Sequence, residues 1–243
     1  MLKRGQITIF IIVAIAIVGA ITAVIIFREN LFQPGGALPP ETREIKSIIS
    51  ECVFANLVEG SVLVGIQGGY AIPPENALET NFSYIAYGYY QGKNALATKE
   101  IIEKQISLYT ETSLVFCIDS SEFPNVEIEF KDIVATTKID QKKVSTSVRF
   151  PFTLTKENAS SRIDDAYYAE HKINLGEFHT IAQEIVKKEL VAPTIVDISY
   201  LTNLSYDVSL LHQGNDIIVY SISNFIINET ENEYTFRFAN KIR

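Results

Sequence analysis

The sequence predicts an α+β fold, with one N-terminal transmembrane helix followed by an outer domain of about three helices packed on an antiparallel sheet. Three observations predict it. Residues 7–27 carry no charged side chain. Three later segments repeat apolar side chains at helical spacing, and several others alternate apolar and polar side chains with a period of two. We therefore divide the chain into a basic leader (1–6), a transmembrane helix (7–27), a linker (28–40) and an α+β domain (41–243).

The first apolar segment is long enough to cross a bilayer. As a helix, residues 7–27 would span roughly 31 Å, which is close to the thickness of the hydrocarbon core. A buried core helix and a cleavable secretory signal are the alternatives. A secretory signal usually has a shorter apolar region and ends at a small-x-small site, which the sequence Phe27-Arg28-Glu29-Asn30 does not provide. We therefore expect an anchor, with the lipid bilayer as the partner of residues 7–27.

The charges around this segment predict its orientation. Lys3 and Arg4 precede it, and basic residues on a short tail favour the cytoplasmic side. We therefore expect a single-pass protein of the cell membrane with a cytoplasmic N-terminus and an extracytoplasmic C-terminal domain. The whole chain has a formal net charge of −8, which argues against nucleic acid as a partner.

Two further features fit an extracytoplasmic location. The chain has two cysteines, Cys52 and Cys117, and an even pair in an oxidising compartment suggests one disulfide. Two buried free thiols are the alternative. N-x-S/T triplets, which are acceptors for glycosylation, begin at Asn81, Asn158, Asn203 and Asn228.

The first helix of the outer domain is predicted from Pro40 to Gly68-Gly69. Proline is favoured in the first turn of a helix, and glycine commonly follows the last turn. The linker before this helix contains Gln33-Pro34-Gly35-Gly36 and Pro39-Pro40, which interrupt regular structure. An aromatic-rich strand follows over residues 84–90.

A second helix is predicted from about Ala97 to Ile118. Its inward face would consist of Ile102, Ile106, Tyr109, Ser113 and Phe116 with Cys117. Cys52 also lies on the apolar stripe of its helix, so two helices packed side by side could bring the two sulfurs together.

Residues 126–150 predict antiparallel strands with one solvated face, since apolar and polar side chains alternate. Asp140-Gln141-Lys142-Lys143 would form a hairpin tip. Residues 160–173 fit either an edge strand or a surface loop.

Asn174 and Glu177 resemble a capping box that opens a third helix, with Phe178, Ile181, Ala182, Ile185 and Leu190 on its core face. The last strands are predicted at about 206–212, 216–226 and 233–240, with a turn at Gln213-Gly214-Asn215.

The sequence contains no motif typical of a catalytic or metal site. Its three histidines, His171, His179 and His212, form no His-Glu-x-x-His pattern, and there is no Gly-x-Ser-x-Gly elbow or Cys-x-x-Cys pair. We predict no catalytic residue, no metal ligand and no cofactor, and we expect His179 at the surface or at its boundary.

Two clusters nevertheless carry alternative interpretations. Asp164, Asp165, Glu170 and His171 could hold a cation or form a solvated loop or edge. Tyr84, Tyr87, Tyr89 and Tyr90 could form a platform for a sugar or a protein, or simply alternate between core and surface along a strand.

The first residues resemble a known processing signal. Lys3-Arg4-Gly5-Gln6 followed by Ile7-Thr8-Ile9-Phe10 resembles the class III signal sequence of archaeal type IV pilin-like proteins. The resemblance implies cleavage between Gly5 and Gln6 on the cytoplasmic side, which would leave the apolar helix intact. It also implies a Glu at position 10, where this chain has Phe10, and that difference weakens the filament interpretation.

The overall layout is also similar to single-span surface proteins of small-genomed archaea, which share an RGQITIF-like start and a QGGY segment after a cysteine-containing helix. That similarity implies no activity. We therefore expect a non-enzymatic surface protein with a structural, adhesive or partner-binding role, acting alone, as a homo-oligomer or with another surface protein. A pilin-like filament subunit is one alternative, and an ectoenzyme or carbohydrate-binding module is the other.

Overall fold

A computed structural model describes residues 40–81, 83–156, 159–193, 195–214, 216–224 and 234–242. The predicted leader with Gly5 and Gln6, the predicted anchor (7–27), most of the linker and the triplets at Asn158 and Asn228 lie outside these residues. By its contacts the chain divides into the units Met1–Glu44 and Ile45–Arg243. Of the first unit, only the start of the first helix is described.

The described residues contain four α-helices. They are α1 (Pro40–Ile66), α2 (Lys99–Leu114), α3 (Leu175–Val191) and the short α4 (Ile198–Thr202), and a 3-10 turn covers Ser120–Glu122. The prediction of about three helices therefore missed α4. Gly68 and Gly69 follow α1 with φ of 75° and 100°, so the predicted glycine stop is confirmed.

The ten strands of the described residues form two sheets rather than one. They are β1 (Ala77–Glu79), β2 (Tyr84–Tyr90), β3 (Lys93–Asn94), β4 (Glu127–Phe130), β5 (Val134–Asp140), β6 (Lys143–Lys156), β7 (Ala159–His171), β8 (Asp207–Gln213), β9 (Ile217–Ser223) and β10 (Thr235–Lys241). The first sheet has the order β1-β2-β10-β9-β8, with β3 also paired to β2. In the second sheet, β6 pairs with β7 on one side and with β4 and β5 on the other.

The prediction of an antiparallel sheet was wrong for the pair β2–β10, which is parallel. Parallel neighbours require a long crossover connection, and here almost the whole domain lies between the two strands. A local alternation of side chains predicts that a strand exists but does not predict which distant strand it pairs with. The strands predicted near the C-terminus are confirmed, and their hairpins are antiparallel as expected.

The ambiguous segment 160–173 is an edge strand. All of β7 pairs with β6, from Ala159 opposite Lys156 to His171 opposite Val144. The predicted hairpin tip before β6 is also confirmed, since Asp140 pairs with Lys143.

Helix α1 is the core helix of the domain. Ile45, Ile49, Val53 and Leu57 recur every fourth residue, and all are completely buried. Among the described residues, Glu41–Ile66 is the one helix long and apolar enough to cross a membrane, and 44% of its most apolar window is buried within the fold. Because its fully buried stripe faces the rest of the domain, we assign this helix to the core, distinct from the anchor predicted at 7–27.

Helix α2 covers the free edge of β5 with polar side chains. Backbone N–H groups of Ala135, Thr137 and Ile139 donate to Glu111 Oε1 (2.8 Å), Ser107 Oγ (3.0 Å) and Glu103 Oε1 (3.0 Å), respectively. Four residues of a helix rise about 6 Å, and two residues of an antiparallel strand rise about 6.8 Å, so the acceptors match the donors one by one. The helix thus replaces a neighbouring strand at this edge.

The predicted ends of α2 and α3 need correction. Phe116 is exposed because α2 ends at Leu114, beyond which helical spacing no longer applies. The Asn174 side chain does not cap α3; instead it donates to Asn224 Oδ1 (2.8 Å), and the Glu177 N–H donates to the Gln141 carbonyl (3.1 Å). A Cβ at Gly176 would lie 2.3 Å from the Asp140 carbonyl oxygen, so only glycine allows α3 to approach this turn.

Candidate functional site: a cleft beside helices α3 and α4

The segment after α3 folds back along the helix. Ala192 precedes Pro193, and its φ of −140° and ψ of 76° are not helical, as expected for a residue before proline. Asp197 then caps α4, because its Oδ1 accepts from the Tyr200 N–H at 3.0 Å. These two local signals place residues 195–199 against the last turns of α3.

One ion pair joins this segment to α3. Lys188 Nζ lies 2.9 Å from Asp197 Oδ2 and 4.7 Å from the centre of the Tyr200 ring. The hydrogen bond from Lys188 to Asp197 raises the pKa of Lys188 and lowers the pKa of Asp197. Both side chains are partly exposed, so solvent screens the pair and it contributes little to the stability of the fold.

Between α3 and this segment lies an open cleft of about 690 Å³. Its apolar lining includes Val191, Ile195 and Ile198, which are 85%, 65% and 54% exposed. Glu184 and Lys187, which contact each other at 3.5 Å, lie at its rim beside the Lys188–Asp197 pair. The cleft therefore combines an exposed apolar surface with charges that are already paired within the chain. We call this surface the α3–α4 cleft.

A buried carboxyl group lies beneath the cleft. Glu189 is only 3% exposed, and its Oε1 accepts a short hydrogen bond from the hydroxyl of Tyr220 on β9. Within the described part of the chain, Glu189 Oε2 and Asn240 Nδ2 are buried without a hydrogen-bond partner. Glu189 and Tyr220 also line a separate cavity of about 10 Å³, which is roughly the room that one water molecule needs.

Burial controls the protonation of this group. Loss of solvent raises the pKa of Glu189, and the hydrogen bond from Tyr220 opposes that shift in part. The Asn240 amide also lowers the pKa of Glu189, although it forms no hydrogen bond of normal geometry with this carboxyl group. Burial likewise raises the pKa of Tyr220. Both shifts favour the neutral forms relative to those of an exposed carboxyl group and an exposed phenol, and a neutral Glu189 can donate as well as accept a hydrogen bond.

The four residues of the predicted acidic cluster do not converge. Asp164 pairs with Arg149 (2.5 Å), Asp165 with Lys46 (2.6 Å) and Glu170 with Lys143 (2.9 Å), while His171 packs edge-on against Phe54. Arg149 lowers the pKa of Asp164, and Lys143 lowers that of Glu170. Among the described residues, no group of three or more His, Cys, Asp or Glu side chains could hold a metal ion. The solvated-edge interpretation of this segment fits these contacts.

The tyrosine side chains of β2 are divided between the two faces of its sheet. Tyr89 is buried in the core, and its N–H donates to Asn240 Oδ1 (2.8 Å) at an irregularity between β2 and β10. Tyr87 and Tyr90 lie together on the other face, with ring centres 4.8 Å apart and Lys241 Nζ 5.7 Å from the Tyr90 ring. The predicted platform is therefore reduced to two rings.

The structure also places the remaining predicted residues. Cys52 and Cys117 form a disulfide, with a Cα–Cα distance of 6.1 Å. Asn81 and Asn203 are exposed, and the Asn203 amide donates to the Ser199 carbonyl at 2.8 Å. The prediction for His179 was wrong, since it is buried and its Nε2 lies 2.7 Å from the Ala97 carbonyl oxygen. Burial lowers the pKa of His179, and this histidine holds the start of α2 against α3.

Sequence reasoning missed the cleft, although its signals were present. Glu189 lies four residues after Ile185 and therefore occupies the buried stripe, whereas Leu190, which was predicted in the core, is partly exposed. Val191 and Ile195 flank Pro193, which follows the end of α3. Both residues are apolar, but the sequence predicts no strand or helix that would bury them. These two irregularities in the pattern marked the site.

No protein-family model, curated protein or solved structure matches this chain.

Proposed function

We propose that this is a non-enzymatic cell-surface protein, held in the membrane by residues 7–27, whose outer domain binds a protein partner through the α3–α4 cleft. The observation that carries the proposal is the exposure of Val191, Ile195 and Ile198 around one concave surface. Contiguous apolar surface with a polar rim is typical of protein-binding sites. The cleft is suited to an apolar side chain of the partner, because its own rim charges are already paired.

Three sequence features support the location at the cell surface. The uncharged run of residues 7–27 suits a membrane anchor, and Lys3 and Arg4 favour a cytoplasmic N-terminus. The Cys52–Cys117 disulfide suits an oxidising compartment. Gly5 and Gln6 would flank the processing site, and glycans at Asn81, Asn158, Asn203 and Asn228 would lie outside the cell.

Mass spectrometry of the native protein tests the location. We expect a mature chain beginning at Gln6, a Cys52–Cys117 bridge and glycans on one or more of the four asparagines, in a membrane fraction whose outer domain is cut by added protease. A domain found only in the cytosol with reduced cysteines would contradict the proposal.

Site-specific photo-cross-linking in intact cells tests the cleft. We expect a cross-linker at Val191 to yield one defined adduct with a surface protein, and Ile195→Asp to weaken that complex by about tenfold or more, since loss of a side chain at the desolvated centre of an interface costs about 2 kcal/mol. A cross-linker at Val134, a valine that is 51% exposed and lies on β5, is the control. Equal adducts from both positions, or an adduct unaffected by Ile195→Asp, would count against the cleft.

A further inference from the structure

The two sheets differ in how their edges are protected. Helix α2 covers β5, and β4 has only four residues with exposed Glu127 and Glu129. The long edge strand β7 carries several charged side chains, including Asp165, whose side chain pairs with Lys46 of α1. Short strands, edge charges and covering helices all hinder pairing with another chain. At the other end of the first sheet, β1 and β3 have only three and two residues.

Strand β8 is longer than β1, β3 and β4, no helix covers it among the described residues, and its one charged side chain, Asp207, is at its first position. It pairs with β9 over all seven residues without a register shift, and it contains no lysine, arginine or proline. Among the described residues, no hydrogen bond from outside the sheet reaches its other edge. Five of its seven side chains are exposed, including Leu211 at 57%. A seven-residue edge with no cover among the described residues is a template for one more strand.

We infer that a second copy of this chain occupies the edge, with the two β8 strands antiparallel about a two-fold axis at Leu210. This register uses the whole strand. It places Asp207 opposite Gln213 of the second copy, Val208 opposite His212, and Ser209 opposite Leu211, so no two like charges face each other. A two-fold axis makes each contact occur twice and closes the assembly as a dimer.

Both faces of the new strand pair would bury apolar side chains. Leu210 already packs partly against the core, and the axis sets it against its own copy on that face. On the opposite face, the two exposed Leu211 side chains become diagonal neighbours, which lie within reach across antiparallel strands. The six-stranded sheets of the two copies would join into one continuous sheet. This dimer does not depend on the partner proposed for the α3–α4 cleft.

The register can be tested directly, because both natural cysteines are in the disulfide. In the full-length protein in lipid nanodiscs, Leu210→Cys is expected to form a disulfide-linked dimer under mild oxidation, since opposed residues of antiparallel strands lie about 4.5–5.5 Å apart. The matched control is Gln213→Cys, whose two copies would lie far apart in this register and should not cross-link. Asp207→Cys combined with Gln213→Cys should restore the link.

Mass measurement then tests the contact itself. We expect the wild-type protein to have twice the mass of one chain, and Leu211→Lys to abolish the dimer by placing two lysines side by side. Val134→Lys, a similar change on the covered edge strand β5, should leave it intact. A monomeric wild-type protein, a dimer that survives Leu211→Lys, or equal cross-linking at 210 and 213 would overturn the inference. A monomer that instead binds an extended peptide of another protein at β8 would overturn it as well.

Discussion

At the scale of single residues, Glu189 shows how one charged side chain can be accommodated in the apolar stripe of a helix. It lies where Phe178, Ala182 and Ile185 place the core face of α3, and the Tyr220 hydroxyl supplies a donor at that position. The second oxygen has no partner among the described residues. A buried carboxylate without full hydrogen bonding is unfavourable, so burial raises the pKa of Glu189.

The raised pKa predicts a specific pH dependence. Below the ordinary pKa of 4.5, Glu189 is protonated in both the folded and the unfolded chain. As the pH rises above 4.5, the unfolded chain loses this proton while the folded protein keeps it, so the free energy of unfolding falls until the pH passes the folded-state pKa. Since Gln does not titrate, Glu189→Gln should gain stability relative to the wild type over this range of rising pH.

Urea unfolding followed by tyrosine fluorescence can measure the difference, since the chain has 12 tyrosines and no tryptophan. Glu184→Gln is the matched control, because this residue lies on the same helix but is partly exposed and pairs with Lys187 at the surface. The expected result is a pH-dependent gain for Glu189→Gln alone. A gain that is constant with pH would mean that titration of Glu189 is not its cause.

At the scale of secondary-structure elements, α2 and β5 act as one unit. The apolar period of α2 alone would predict that Glu103, Ser107 and Glu111 face water. In the structure they accept hydrogen bonds from successive N–H groups along a strand edge. The polar stripe is therefore as important to the packing of this helix as its apolar stripe.

Removing one acceptor of this stripe should be strongly destabilising. Glu103→Leu would leave the buried Ile139 N–H without a partner, which is expected to lower the free energy of unfolding by about 1–3 kcal/mol. In Glu103→Gln the side-chain carbonyl can still accept, and only the contact with the mostly exposed Lys138 is weakened, so the loss should stay below about 1 kcal/mol. Hydrogen exchange of the Ile139 amide should accelerate in the Leu variant only. Equal losses in both variants would show that the edge hydrogen bond is unimportant.

The elements of this fold could be predicted from the sequence more completely than their assembly. Apolar spacing located α1, α2 and α3, and alternation located most strands, because these patterns reflect which side of an element is buried. The parallel pair β2–β10, the division into two sheets and the cover over β5 depend on contacts between distant segments. The α3–α4 cleft was missed for a different reason, since Ile195 and Ile198 belong to a segment without a periodic pattern.

At the scale of the whole molecule, one covalent bond joins its two long N-terminal helices. Cys52 lies in the middle of α1, and Cys117 lies three residues after the end of α2. The Asn56 amide, one turn after Cys52, also donates to Cys117 Sγ at 3.5 Å. The bond closes a sequence separation of 65 residues that contains β1 to β3 and all of α2. It therefore restricts the unfolded chain over a large part of the domain.

The disulfide should contribute about 4 kcal/mol to the free energy of unfolding, as the chain-entropy relation gives for a loop of this length. We expect Cys52→Ala with Cys117→Ala to lower the stability of the full chain by roughly that amount, measured by urea unfolding in detergent. A reducing agent should destabilise the wild type to a similar extent and leave the double variant unchanged, which separates loss of the bond from loss of side-chain packing. A wild type that is equally stable in oxidising and reducing conditions would show that the bond does not constrain the domain, and would remove one support for its location outside the cytoplasm.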